Sequence, residues 1–197
     1  IYVVGGITNG HVSGWVPWFD SYNPATNTWT VLPDAPRART HFNAIVKDNK
    51  LYVIGGHLTG APGTATAPVA EVDVYDFASN SWSTLPPSSN LPTPRWGTVA
   101  GTLGNEIMII GGQSPTAANA NTRTEALDVY TNTWRTLSPM LEGRHGTQAI
   151  TSGNVIYVAT GSSNAAETAN NGKLESFSLF NAVLPGGTAT VKGNFSA

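Results

Sequence analysis

A pair of glycines that closes a short apolar strand recurs along this chain of 197 residues. Three copies read I-Y-V-V-G-G, L-Y-V-I-G-G and I-M-I-I-G-G, at residues 1–6, 51–56 and 107–112, and a weakened fourth copy reads I-Y-V-A-T-G at residues 156–161. A period near 50 residues indicates a repeat architecture, in which each copy is a supersecondary unit that cannot bury its apolar face alone. The chain is therefore predicted to contain four related structural repeats.

A second set of residues keeps a constant distance from the glycines. Arg39, Arg95 and Arg144 each precede the first glycine position of their copy, at 55, 111 or 160, by 16 residues. Each copy also holds a strand that ends in an aromatic residue. In three copies a turn follows, with asparagine two positions before a tryptophan, at Trp29, Trp82 and Trp134. Alternating β-branched and aromatic residues, frequent turn signals and the lack of helical periodicity predict an all-β structure.

This order of strands, glycine pair, variable loop, aromatic strand, tight turn and tryptophan strand resembles the kelch repeat over residues 1–180. The resemblance implies a β-propeller of four-stranded antiparallel blades, with about four blades present as part of a larger ring. The repeats are placed at about 1–37, 38–93, 94–142 and 143–180; the first lacks its innermost strand and the fourth lacks the tryptophan. Residues 181–197 lose the pattern and are predicted to be a linker or the start of a following module.

Residues that recur from copy to copy are assigned to the scaffold. The repeat tryptophans are expected to be buried. The repeat arginines are expected to make structural contacts between strands and blades, with Asp73 and Asp128 as their partners or as turn acceptors. The scaffold set comprises Gly5, Gly6, Gly55, Gly56, Gly111, Gly112, Gly161, Trp29, Trp82, Trp134, Arg39, Arg95 and Arg144.

Composition excludes several classes of partner. Hydrophobic residues make up 40% of the chain, charged residues 11%, and the formal net charge is -2, which describes a globular protein without a basic patch. Nucleic acid is not an expected partner, because there is no basic patch. Membrane insertion is not expected, because no apolar run has the length of a membrane span. The chain has no cysteine, and its histidines, at positions 11, 41, 57 and 145, form no closely spaced pair. No metal and no cofactor is therefore predicted.

The stretches after the glycine pairs vary in length and sequence, at residues 7–17, 57–69, 113–122 and 162–172. Loops projected from a rigid scaffold are where binding specificity usually lies. Trp15 and Trp18 are candidates for an aromatic platform, although they could instead cap the apolar edge of the first blade. The candidate ligand-binding residues are His11, Trp15, Trp18, His57, Gln113, Asn119 and Asn164.

The sequence favours a non-enzymatic recognition or scaffold module that binds a protein or a glycan through these loops. The pattern R-H-G-T-Q-A-I at residues 144–150, followed by I-Y-V-A and a glycine, resembles kelch arrays of large secreted bacterial proteins. Loops rich in Thr, Asn, Ala, Gly and Ser are typical of exported proteins. An extracellular or cell-surface location, with neighbouring domains in the same larger chain, is therefore expected.

Two alternatives remain open, and no catalytic residue is assigned. The first is a carbohydrate-active enzyme of the oxidase or sugar mutarotase type, with its site at the mouth of the propeller channel. The cross-linked cofactor of galactose-oxidase-type enzymes needs a cysteine, which these residues lack; a mutarotase needs only ordinary Glu, Arg and His side chains. The second alternative is an architectural subunit of a surface filament or adhesin.

Overall fold

A computed structural model describes residues 1–9, 13–58, 67–165, 167–183 and 189–197. The chain divides into two compact units, a first unit of residues 1–96 and a second unit of residues 97–197. Each unit is built from antiparallel β-sheets whose strands follow one another along the chain. In the described residues, no helix is both long enough and apolar enough to cross a membrane.

The described residues of the first unit form nine strands. They are β1 (Tyr2–Val4), β2 (Ile7–Asn9), β3 (Ser13–Trp15), β4 (Phe19–Asn23), β5 (Thr28–Leu32), β6 (Arg39–Lys47), β7 (Lys50–Leu58), β8 (Asp73–Asp76) and β9 (Ser81–Thr84). Strands β1, β4 and β5 form a three-stranded sheet, and β6 to β9 form a four-stranded sheet in sequence order. The hairpin of β2 and β3 lies within the first predicted variable loop, and a short 3-10 turn at Pro87–Ser89 follows β9.

The described residues of the second unit form two complete four-stranded sheets. Its strands are β10 (Val99–Leu103), β11 (Glu106–Ile110), β12 (Thr124–Asp128), β13 (Thr133–Leu137), β14 (Ala149–Ser152), β15 (Val155–Ala159), β16 (Leu174–Val183) and β17 (Ala189–Ser196). Strands β10 to β13 form one sheet and β14 to β17 the other, each in sequence order. This is the four-stranded antiparallel pattern that the repeats predict.

In the second and third repeats, the strands that lead into the glycine pairs are inner strands of their sheets, and almost all of their apolar side chains are buried. In β11, the four residues from Ile107 to Ile110 are fully buried. In β7, Leu51 and Val53 pack with Phe19 and Tyr75 in the core of the first unit. A strand buried on both faces reads as a continuous apolar run, which explains why these segments are the clearest signal in the sequence.

The asparagine of each N-x-W turn explains the tight hairpins between the last two strands of the first three repeats. Asn27, Asn80 and Asn132 adopt left-handed backbone angles, with φ of 53°, 52° and 55°. Asparagine tolerates this conformation better than most residues. The turns bring cross-strand pairs into register: Tyr22 with Trp29, Tyr75 with Trp82, and Leu127 with Trp134.

The prediction that the repeat tryptophans are buried is wrong for Trp29, whose side chain is 61% exposed. Trp82 shows what covers such a side chain. Its ring packs on Phe19 of the preceding sheet at 5.3 Å, and its indole N–H donates to the carbonyl of Pro33 at 2.8 Å. Trp29 belongs to the first sheet and packs only on the ring of Tyr22, at 4.9 Å, among the ring contacts described. Burial therefore depends on a preceding sheet as well as on the repeat motif.

The prediction that residues 181–197 form a linker or a following module is also wrong. Strand β17 pairs with β16 over eight residue pairs and completes the fourth sheet. Phe195 lies opposite Phe177, with ring centroids 4.9 Å apart, and both side chains are buried. Phe195 therefore takes the position of the repeat tryptophan. A side-chain carbon at Gly193 would overlap the Phe177 ring, so only glycine fits there without a shift of that ring.

Arg39 is buried and directs its guanidinium at the backbone and at one carboxylate of its own sheet. It donates to the carbonyls of Gly55 and Glu71, each at 3.1 Å, and to the carboxylate of Asp73. Arg37 donates to the same carboxylate. Burial lowers the pKa of Arg39, and the charge of Asp73 acts in the opposite direction.

Arg144 repeats this arrangement in the fourth sheet. It donates to the carbonyls of Thr160 at 3.3 Å and Lys173 at 2.7 Å, and to the carboxylate of Glu175. The counterpart of Asp73 is thus Glu175. The two predicted roles are divided between the aspartates: Asp73 is an arginine partner, whereas Asp128 is a turn acceptor of two backbone N–H groups, which lower its pKa.

The glycine pairs allow close contact between backbones. A side-chain carbon at Gly56 would lie 2.5 Å from the carbonyl oxygen of Thr40 on the neighbouring strand. One at Gly111 would lie 2.5 Å from the carbonyl oxygen of Arg144, in the next repeat. Both distances are shorter than any side chain tolerates, and both glycines have positive φ angles. The glycine pairs therefore allow close approach within the sheet and between repeats, where the N–H groups of Gly56 and Gly112 donate to the carbonyls of Arg95 and Arg144.

Candidate functional site

Three positions of the repeat lie beside the arginines and glycines but change chemically from copy to copy. They are the first residue after the arginine, the second residue after it, and the first residue after the glycine pair. The first set is Thr40, Trp96 and His145; the second is His41, Gly97 and Gly146; the third is Ile7, His57, Gln113 and Ser162. The first and third positions pair across strands, as Thr40 with His57 and His145 with Ser162. We call this variable edge of each unit the loop edge.

The loop edge of the first unit contains a cluster of four rings, Trp15, His41, His57 and Trp96, which we call the aromatic cluster. His57 is at its centre. The His57 ring stacks on His41 with centroids 5.1 Å apart, and meets the edges of Trp96 at 5.2 Å and Trp15 at 6.2 Å. His57 and Trp15 come from the segments that follow two different glycine pairs. The fold thus brings together two of the residues that the sequence singled out.

Trp15 lies in β3, paired with Ile7, and is half-buried. Its indole N–H is shielded from solvent and has no hydrogen-bond partner among the residues that the structure describes. Trp18, the other tryptophan of this segment, is 55% exposed, and no ring contact joins it to the cluster in the part of the chain that the structure describes. His11 lies outside the described residues.

His41 has a backbone conformation that disfavours a side chain. Its φ is 56°, and at the same repeat position Gly97 and Gly146 have φ of 61° and 66°. The register thus requires a left-handed residue, which two repeats supply as glycine and one as histidine. A non-glycine residue held in this region stores backbone strain, and such residues concentrate at functional sites.

The loop edge of the second unit brings together the three remaining candidates, Gln113, Asn119 and Asn164. Asn119 and Asn164 pair through their backbones, and the side-chain amide of Gln113 donates to the carbonyl of Ala165 at 3.3 Å. The Asn164 side chain accepts backbone N–H groups within its own loop and donates to Thr168 at 2.8 Å. Two of the predicted variable loops are therefore joined into one surface, and the amide of Asn164 shapes its loop.

A cleft of about 540 Å³ opens beside this surface. We call it the His145 cleft; its lining residues are His145, Gly146, Thr160, Gly161, Ser162, Glu167, Asn170, Asn171 and Gly172. The Nε2 atom of His145 lies 2.8 Å from the carbonyl oxygen of Asn164. Since a carbonyl only accepts hydrogen bonds, Nε2 carries a proton, and Nδ1 is left as an acceptor in the neutral ring. The cleft offers hydroxyl, amide and carboxylate groups to a polar ligand.

His41 and Trp96 are the members of the aromatic cluster that sequence reasoning did not select as ligand-binding residues. Each follows a repeat arginine directly or by two positions, so alignment on the arginines gives the signal that would have found them. No group of three metal-ligating side chains is found among the residues that the structure describes.

Comparison with known proteins gives a consistent result. The model of the KLHDC2/KLHL20/DRC7 Kelch-repeats domain matches residues 1–182. The chain belongs to the kelch-repeat family. Among curated kelch relatives, Kelch-like protein terF of Aspergillus terreus is 32% identical over 76% of this chain and 33% of its own length. Kelch-like protein 25 of Xenopus tropicalis is 34% identical over 82% of this chain and 26% of its own length.

The kelch chain therefore spans between a quarter and a third of the length of these curated relatives. A solved structure, that of YjhT, matches with a TM-score of 0.67 and 17% identity, over 89% of this chain and 52% of the YjhT chain. The predicted fold class, an all-β propeller built of four-stranded kelch blades, is confirmed. Kelch domains typically mediate protein binding, which is the general role that family membership supports.

Proposed function

We propose that this kelch domain binds a protein partner through the loop edge of its first unit, with the aromatic cluster as the main anchor. The observation that carries the proposal is the meeting of Trp15 and His57, which come from different repeats. The strained His41 belongs to the same cluster. The sheets do not require these contacts, because the side chains occupy positions that vary from repeat to repeat.

The chemistry of this edge favours a neutral and partly apolar segment of the partner. The variable stretches at residues 7–17 and 57–69 contain no Asp, Glu, Lys or Arg. Tryptophan is enriched among the few interface residues that supply most of the binding energy, because its large ring combines apolar area with one N–H donor. Recognition here rests on aromatic contact and hydrogen bonds rather than on charge.

The test is site-specific photo-crosslinking followed by affinity measurement. A photoreactive phenylalanine analogue replaces Trp18, which is exposed and three residues from Trp15, or Tyr130, which is 66% exposed in the second unit. The partner captured only from position 18 is purified, and its affinity is measured for Trp96→Ala. Loss of at least about 10-fold is expected, since central anchors cost more than this when truncated.

Tyr130→Ala is the matched control and should bind the captured partner as the wild type does. Unchanged affinity of Trp96→Ala, or an equal loss for Tyr130→Ala, would contradict the proposed role of the cluster. The predicted extracellular or surface location stays a prediction and rests on loop composition and on the resemblance of residues 144–150 to secreted kelch arrays.

A neutral glycan is the second candidate ligand, and the His145 cleft is the feature that favours it. Its volume of about 540 Å³ falls within the usual range for small-ligand sites. A glycan array probed with the wild type and with Glu167→Gln tests this candidate, and binding that the variant loses would support it. Turnover of a bound sugar, lost in the same variant, would instead favour the carbohydrate-active enzyme.

A further inference from the structure

The outermost strand of each sheet carries the repeat tryptophan, or Phe195 in the fourth sheet, between two residues that point to the opposite face. These triplets read T-W-T, S-W-S, T-W-R and N-F-S, at residues 28–30, 81–83, 133–135 and 194–196. The fourth triplet is an Asn-x-Ser sequence, which is the acceptor motif for N-linked glycosylation. It is the only Asn-x-Ser or Asn-x-Thr sequence in the 197 residues. Asparagine thus replaces, in one repeat only, a hydroxyl residue of the other three.

The exposure of Asn194 is a property of its position in the repeat. Thr28, Ser81 and Thr133 hold this position in the other sheets, and all four side chains are exposed. In the first and third sheets this holds although a further sheet follows in the same unit. Asn194 is therefore not exposed merely because its sheet is the last of the four. Ser196, which supplies the hydroxyl group of the motif, is exposed as well.

The cross-strand neighbours of the motif are small and polar. Asn194 lies opposite Ser178, and Ser196 lies opposite Ser176, with the two serine hydroxyl oxygens 2.9 Å apart. Phe195 points to the other face of the sheet, where it is buried. A sugar attached to Asn194 would therefore lie beside hydroxyl side chains, and the core of the sheet would remain unchanged.

Strand β17 is an edge strand with little charge around it. It pairs with β16 on one side, and no strand pairs with its other side among the described residues. Exposed edges of soluble proteins are usually protected by charged residues or by a covering group, because they can pair with another chain. Residues 176–191, from β16 to β17, contain no Asp, Glu, Lys or Arg. A bulky and hydrated sugar at Asn194 would hinder such pairing.

We propose that Asn194 is the acceptor of an N-linked glycan that shields the outer edge of the fourth sheet. The co-substrate is an oligosaccharide carried on a lipid diphosphate. A bond forms between Nδ2 of Asn194 and the anomeric carbon of the sugar, and the bond from that carbon to the phosphate oxygen breaks. The amide loses one proton, and the lipid diphosphate leaves. The donor belongs to an export pathway, so the proposal rests on the predicted extracellular location and is independent of partner binding by the first unit.

Secretion of the full chain from a eukaryotic host, behind a cleavable signal peptide, tests the proposal. The intact mass of the secreted protein is measured before and after digestion with a peptide N-glycosidase. The wild type should carry the mass of one N-glycan and lose it on digestion, which leaves aspartate at position 194. Asn194→Gln and Ser196→Ala should lack the glycan, and Ser196→Thr should keep it. Asn181→Gln is the matched control in the same hairpin and should also keep it.

The shielding role is tested by heating the secreted wild type and Asn194→Gln below their Tm. The Tm values should agree, because the side chain is exposed, and the variant should aggregate faster. Equal aggregation would overturn the shielding role. A secreted wild type without a glycan, or a glycan that survives Asn194→Gln, would overturn the assignment of the acceptor. Because the added signal peptide supplies export, these results would count against Asn194 itself, and partner capture from position 18 would be unaffected.

Discussion

Replacement of Arg144 by methionine is expected to destabilise the second unit by about 3 kcal/mol. The guanidinium is completely buried and donates to two backbone carbonyls and to the carboxylate of Glu175, which is also buried. Removing one member of a buried ion pair leaves the other charge uncompensated, at a cost of about 3–5 kcal/mol. Glu175 keeps the backbone N–H groups of Leu141 and Glu142, at 2.8 and 3.2 Å, which favours the lower end of this range.

Two further variants distinguish this loss of stability from a general effect of removing a positive charge. Lys173→Met removes the positive charge of an exposed ion pair next to the same sheet and should cause no measurable loss, since such pairs contribute little. In the double variant Arg144→Met, Glu175→Gln, the amide oxygen still accepts one of the two backbone N–H groups, which donate to different oxygens of the carboxylate, and no buried charge remains. The double variant should therefore regain about 1–2 kcal/mol relative to Arg144→Met.

The assay is equilibrium urea unfolding followed by circular dichroism, with thermal unfolding as a second measurement. A loss of about 3 kcal/mol corresponds to a Tm lower by about 6–12 °C for a chain of this size. A loss below about 1 kcal/mol, or a loss no larger than that of Lys173→Met, would refute the reasoning that the repeat arginine holds the sheet together. A double variant no more stable than Arg144→Met would refute the part that assigns the cost to an uncompensated carboxylate.

Other predictions concern backbone strain, packing and pH. Gly146→Ala should cost about 1 kcal/mol, because the added carbon meets no atom but the residue keeps a φ of 66°; a neutral result in thermal unfolding would contradict the left-handed requirement. His41→Gly should change stability by less than about 0.5 kcal/mol, since relief of strain offsets the greater freedom of glycine in the unfolded chain; the same variant should lose partner affinity in the crosslinking assay above. Gly193→Ala should cost about 1–3 kcal/mol through overlap with the ring that faces it, whereas Gly172→Ala, with open space around it, should cost far less in the same urea titration. The pKa of Asp128 is lowered by the N–H groups of its turn, so its stabilisation is complete above the ordinary value of 3.8 and is lost as pH falls through the lowered folded value. Asp128→Asn should therefore flatten this part of the acid limb of the stability profile, and an unchanged acid limb would contradict the assignment.

Sequence spacing predicts the sheets well wherever the hairpin between the last two strands is short. In the second repeat, Tyr75 and Trp82 are joined by a tight turn at Asn80, so the motif keeps a fixed length. In the fourth repeat, Phe177 and Phe195 form the same pair across a much longer connection. A longer loop adds little to the entropic cost of closure, so the fold tolerates the insertion. Because the spacing changes, alignment at the constant spacing of the other repeats does not find this pair.

The candidate site is predictable only in part, because sequence gives repeat positions but not the contacts between segments of different repeats. The register identifies His57 as a variable residue after a glycine pair, and Trp15 as a tryptophan outside the repeat motif. It cannot show that their rings lie 6.2 Å apart. That distance depends on how the β2 and β3 hairpin folds back over the sheet, which is a tertiary property. Trp96 was missed for a simpler reason, since it directly follows Arg95 and looks like a packing residue.

Backbone strain at an equivalent position of different repeats distinguishes functional residues from scaffold residues better than the recurrence of a residue does. A left-handed residue is required two positions after each of the three repeat arginines, and glycine meets this need in two repeats with no side chain to pack. Histidine meets it in the second repeat at a cost in backbone energy, and its ring stacks on His57 instead of entering the core. Glycine at this position would serve the fold at least as well. The contacts that the His41 ring can make are therefore what explains a histidine in this strained conformation. The loop edge of the first unit is therefore the place where stability and binding should separate on mutation.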